Sequence, residues 1–143
     1  MDAALLGTGV QSAAVMEPKV PTLAFRSETN LLHEMIMSIG IPPNIRGYAF
    51  IIYSLELILD NPNYMYSVTK GLYIDVAKHF HTRATCVERA IRFAINNAWT
   101  YGNIEYINSI FQNCVRVGKD VPTNSVFLAR LYYYIANKEY YQS

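Results

Sequence analysis

The stretch YIDVAKHFHTRATCVERAIRFAINNAW, residues 73–99, reads as a short helix, a tight polar turn and a longer helix. The longer helix is the stronger half. Val87, Ala90, Ile91, Ala94, Ile95, Ala98 and Trp99 recur at i, i+3, i+4, i+7, i+8, i+11 and i+12, an unbroken helical stripe. At about 100° per residue, Thr85, Arg89, Arg92 and Asn96 fall near the opposite face. Thr82 or Thr85 can supply an N-cap oxygen, and Thr85-x-x-Glu88 has the form of a capping box. The short helix, roughly Ile74 to Phe80, has an apolar edge of Val76, Ala77 and Phe80 and a polar edge of Lys78 and His79. The connection His81-Thr82-Arg83 is polar and lacks the glycine often found in such turns. Two helices joined this way make a helix-turn-helix, whose second helix commonly enters the major groove of duplex DNA. The same hairpin also occurs in bundles that touch no nucleic acid.

Charge favours the first of these readings. The whole chain carries a net +1, too little to imply a polyanionic partner. Its distribution is uneven. Between Ser67 and Arg92 the cations Lys70, Lys78, Arg83, Arg89 and Arg92 outnumber Asp75 and Glu88, so that segment nets +3 and the remainder −2.

A chain of 143 residues that is 52% hydrophobic can build one domain with a real core. No apolar run approaches the length needed to cross a bilayer, so no membrane role is expected. The N-terminus lacks a basic leader and a clear cleavage pattern, so no signal peptide is expected. Cys86 and Cys114 stand alone with no CxxC between them, which points to a reducing cytoplasm.

Residues 1–26 are small, mixed and non-periodic, and read as a flexible linker or tail. Residues 27–143 read as the domain. A first helix is expected over about Glu28 to Ile39, burying Leu31, Leu32, Met35, Ile36 and Ile39, with Gly40 as its stop. Asn44 can cap a second helix through Leu59 that buries Ile45, Tyr48, Ala49, Ile52, Leu55 and Leu59. A third segment, about Met65 to Tyr73, has a possible break at Gly71. Beyond Gly102, a helix from Ile104 to about Val115 buries Ile104, Ile107, Ile110, Phe111 and Cys114. Thr123, Asn124 or Ser125 then caps a last helix to about Tyr140, whose run Tyr132-Tyr133-Tyr134 must point in three directions, part core and part surface. No strand is convincing. The fold class is all-α, a compact bundle of about six helices containing a helix-turn-helix.

Catalysis finds no support. There is no glycine-rich phosphate loop and no GxSxG. Asp75 and Glu88 lie on opposite sides of a turn and make no acid–base pair. His79-x-His81 is a poor match to zinc spacing and no cysteine pair supports it, so neither a metal nor a cofactor is expected.

From about Glu28 onward the chain resembles the DNA-binding effector domain of the stage-zero sporulation protein A family. The ordered blocks that carry the resemblance are Leu32-His33-Glu34, Ile45-Arg46-Gly47-Tyr48, Ser67-Val68-Thr69-Lys70 and Leu72 through Lys78. They continue with Val87-Glu88-Arg89-Ala90-Ile91-Arg92, Ala98-Trp99, Gly102-Asn103-Ile104 and Pro122-Thr123-Asn124-Ser125. The resemblance implies a six-helix fold that binds double-stranded DNA at a promoter element with a TGTCGAA-like core. It implies activation or repression according to promoter geometry, and binding as a dimer on tandem boxes. It also implies an N-terminal receiver domain phosphorylated on aspartate. This chain reads as the effector part alone, an excised fragment or a stand-alone relative.

Carried over by position, Glu88 and Arg89 match the family's base-reading residues. Arginine can donate two hydrogen bonds to guanine O6 and N7, and glutamate can accept from a cytosine amino group. Arg92 matches a second cation suited to phosphate or a flanking base. The bland alternative is an exposed Glu88–Arg92 pair worth a few tenths of a kcal/mol. Two positions depart from the pattern. Cys86 stands where the family commonly has an arginine, which removes a base or backbone contact. Phe93 stands where a histidine is familiar.

Candidate backbone contacts are Ser67, Thr69, Lys70, Lys78, Thr82, Arg83, Thr123, Asn124 and Ser125, the last three at a helix start where free amides favour phosphate. Glu105, Asn108 and Gln112 match a surface that touches the RNA polymerase sigma factor. The competing function is a protein-interaction module that keeps the fold and has lost specific DNA reading, as Cys86 and Phe93 hint.

Overall fold

The computed structural model describes residues 23–111 and 120–142. Backbone packing separates residues 1–30 from residues 31–143 as two units. Among the described residues there are six α-helices and no strand. They are α1 (Leu23–Ile39), α2 (Arg46–Asp60), α3 (Tyr73–His79), α4 (Ala84–Tyr101), α5 (Ile104–Phe111) and α6 (Asn124–Gln142). A 3₁₀ turn (Pro62–Tyr66) and a π turn (Val68–Leu72) join α2 to α3. The expected third segment is therefore two short turns, and Gly71 lies inside the second rather than breaking it. The helix α1 begins at Leu23 rather than Glu28, so Leu23–Arg26 of the expected tail are helical. The rest of that tail lies outside the described residues, as do Cys114 and the expected end of the α5 helix.

The core follows the apolar stripes. In α1 these are Leu32, Met35, Ile36 and Ile39; in α4 they are Val87, Ile91, Ala94, Ile95, Ala98 and Trp99. Trp99, Phe111 and Phe127 join α4, α5 and α6, with centroids 5.1 Å apart for Trp99–Phe111 and 5.6 Å for Phe111–Phe127. Aromatic pairs at such spacing add to the area they bury. The α2 stripe is Tyr48, Ile51, Ile52, Leu55 and Ile58, so Ala49 turns out to solvent, against expectation. Ile104, expected in the core, is exposed because Asn103, through its Oδ1, accepts from the Tyr106 amide and makes Ile104 the first residue of the helix. In α6, Leu128, Leu131 and Ile135 are buried, Tyr132 and Tyr134 half-buried, and Tyr133 exposed.

Two glycines set helix contacts. At Gly47 a Cβ would lie 2.4 Å from the Ala90 carbonyl oxygen and 2.8 Å from the Ala94 Cβ. Only a glycine lets α2 cross α4 this closely. Gly40 ends α1 with φ +111 in the left-handed region, and its neighbour Ile41 donates to the Ile36 carbonyl at 3.2 Å. That is the Schellman arrangement, and it satisfies the last carbonyls of the helix.

The turn between α3 and α4 uses the same device with a different residue. The His81 amide donates to the Lys78 carbonyl at 3.3 Å and the Thr82 amide to the Ala77 carbonyl at 2.9 Å. His81 takes the left-handed position, φ 57, that glycine usually fills. The turn thus forms without glycine, at the cost of a strained histidine. Neither Thr82 nor Thr85 caps α4. Its N-cap is Arg83, in extended conformation, with no side chain bonded to the first-turn amides. The N-cap of α2 is likewise Ile45 rather than Asn44, again with no side-chain cap.

Candidate nucleic-acid interface

Because α4 spends one stripe on the core, its opposite face is open. Thr85, Arg89, Arg92, Phe93 and Asn96 are exposed, with Cys86 and Glu88 half-buried at the flanks. Each flank borders its own groove.

On the first flank, Glu88, Arg92 and Asn96 line a groove with Thr69, Tyr73, Thr123, Asn124 and Ser125. Asn124 is buried, and its Nδ2 donates to the Tyr73 hydroxyl at 3.0 Å and to the Glu88 carbonyl at 3.0 Å. Burial pushes the Tyr73 phenol above its ordinary pKa, which keeps the hydroxyl neutral. Thr123 is the cap of α6: its Oγ1 accepts from the Val126 amide at 3.2 Å. Of the three residues expected at this helix start, Thr123 caps, Asn124 braces and Ser125 is exposed. Arg92 donates to a Glu88 carboxylate oxygen at 2.5 Å. The two side chains are 56% and 33% exposed, so water competes for both and the pair adds only a few tenths of a kcal/mol.

On the second flank, Cys86, Arg89, Ala90 and Phe93 line a groove with Asn44, Ile45, Arg46 and Gly47. Arg46 reaches the turn: its Nη2 donates to the Thr82 hydroxyl at 3.4 Å, and its guanidinium carbon lies 5.4 Å from the centre of the Phe50 ring. A hydrogen bond with Thr82 holds the Cys86 thiol below its ordinary pKa, against the opposing effect of partial burial.

The remaining candidates divide. Thr69 faces the first groove. Ser67, Lys70, Lys78 and Arg83 are exposed and Thr82 is half-buried. The Ser67 carbonyl accepts from the Gly71 and Leu72 amides and closes the π turn. Glu105 and Asn108 are exposed on α5, one turn apart, and Gln112 lies outside the described residues.

Asn44 and Arg46 are the neighbours that sequence reading missed. The signal was present in Ile45-Arg46-Gly47, which places a cation beside the glycine that lets α2 touch α4. His79 stacks on Tyr53 with centroids 4.0 Å apart, a packing role. Among the described residues no three His, Cys, Asp or Glu side chains gather as a metal site. Among the same residues no helix is long and apolar enough to cross a membrane.

The model of the family described as sporulation initiation factor Spo0A C terminal matches residues 32–135. That range runs unbroken from α1 into α6 and takes in both flanks of α4. The family is one of DNA-binding regulatory domains rather than enzymes. With the helix-turn-helix and its bracing helices all inside the match, the chain belongs to the sporulation initiation factor Spo0A C-terminal family, helix-turn-helix domains that bind DNA in transcription regulation.

Proposed function

We propose that residues 27–143 form an effector domain that reads a short promoter box by laying α4 in the major groove. Arg89 donates to the O6 and N7 of a guanine, and Glu88 accepts from a cytosine amino group. Arg92 leaves or shares its pair with Glu88 to meet phosphate or a flanking base. Thr69, Thr123 and Ser125 hold one bounding backbone, with Ser67, Lys70, Lys78, Thr82 and Arg83 adding contacts nearer the turn. Backbone contacts of this kind fix register and supply the salt-sensitive share of affinity. Asn124 acts through Glu88 and Tyr73, and Cys86 stands at the edge of the reading face. The observation that supports this reading most is the exposure of Arg89 opposite the buried stripe, between a polar-lined groove and a mostly apolar one.

The domain binds as a dimer on tandem boxes and activates or represses according to their placement. Glu105 and Asn108 of α5 form the surface for the RNA polymerase sigma factor. The exposed Phe93, 61% accessible beside the half-buried Cys86, favours a second reading in which this face docks a protein instead of DNA. Selection of binding sites from random duplex DNA, followed by salt titration on the selected box and a scrambled duplex, separates the two. Preference for the box supports DNA reading; equal binding at every salt concentration supports the docking module.

A further inference from the structure

A helix seated in the major groove lies between two phosphate strands, so both of its flanks face negative charge. The hydroxyl and amide groups of Thr69, Thr123 and Ser125 serve one flank of α4. On the other flank α4 itself offers Cys86, Ala90 and Phe93 around Arg89, with the N-cap residue Arg83 beside Cys86. A further cation reaches this flank from a different helix. Gly47 brings the start of α2 against Ala90, and Arg46 beside it extends over the Phe50 ring to the Thr82 hydroxyl. Arg46 and Asn44 are both exposed there.

We propose that Arg46, assisted by Asn44, is the phosphate contact of the second flank, so that α2 and the α6 start grip opposite strands around the reading helix. This rests on α4 entering DNA as described above. The ring of Phe50 and the Thr82 oxygen hold the guanidinium extended before DNA arrives, which lowers the ordering cost of the contact. A phosphate contact carries no sequence information, so Arg46 adds affinity to every duplex alike.

The test is the salt dependence of binding to the selected box and to a scrambled duplex, with thermal midpoints measured alongside. Arg46→Gln should weaken both duplexes by the same factor and flatten the slope of log K against log salt by about 0.9, one phosphate contact. Arg46→Lys should keep the parental slope. Asn44→Asp, an exposed change that leaves Arg46 in place, should weaken both duplexes through repulsion with an unchanged midpoint. A parental slope in Arg46→Gln, or parental affinity in Asn44→Asp, would overturn the proposal while leaving box preference intact. A parent protein that binds no duplex would overturn the DNA reading itself, and this inference with it.

Discussion

Asn124 donates from its Nδ2 to the backbone carbonyl of Glu88 at 3.0 Å, tying the first turn of α6 to the second turn of α4 across 36 positions of sequence. The same amide meets the Tyr73 hydroxyl of α3. One buried side chain therefore holds the two helices of the helix-turn-helix and the helix that flanks them. Asn124→Ala leaves the buried Tyr73 hydroxyl without this partner and should cost about 1–3 kcal/mol. Asn124→Asp keeps the shape and loses both donors, so it should cost at least as much. Urea denaturation of the three proteins checks this order.

His81 occupies the left-handed backbone region that a side chain makes costly, by about 1–2 kcal/mol. Its amide and the Thr82 amide already complete the helix end, so nothing in the turn depends on the imidazole. His81→Gly should stabilise the protein by about 1 kcal/mol, less than the full strain because glycine also loses more freedom on folding. A denaturation midpoint equal to or below that of the parent would contradict this reading of the turn.

These two residues mark where sequence reading succeeded and where it stopped. The stripe from Val87 to Trp99 predicts α4 and its open face because burial on a helix repeats every three to four residues. Gly40 ends its helix as expected. The N-caps of α2 and α4 were not legible. Thr82, Thr85 and Asn44 all have capping side chains, yet the backbone geometry of the α3–α4 turn and of the Pro42-Pro43 corner gave those places to Arg83 and Ile45. The two flanks of α4 were only half legible. Thr123 to Ser125 stood out as a helix start, whereas Arg46 meets Thr82 across 36 residues, a contact that no local period encodes.

The Cys86 thiol sits below its ordinary pKa chiefly because of its hydrogen bond with Thr82. A lowered thiol pKa means more thiolate, and faster alkylation, at a given pH below the midpoint. Thr82→Val removes that hydrogen bond. The pH midpoint for alkylation of Cys86 should then move upward, with slower reaction at neutral pH. Cys114→Ala in both proteins isolates the signal. An unmoved midpoint would show that Thr82 does not set the acidity of this thiol.

In the proposed function, the outward face of α4 discriminates sequence through Arg89. The most direct measurement is the affinity of Arg89→Ala and parent for the selected box and for the same box with its guanines exchanged. The parent should prefer the intact box. Arg89→Ala should lose about 1–3 kcal/mol on it and bind the exchanged duplex nearly as the parent does, so that the preference collapses. An Arg89→Ala protein that keeps the parental preference between the two duplexes would contradict the claim.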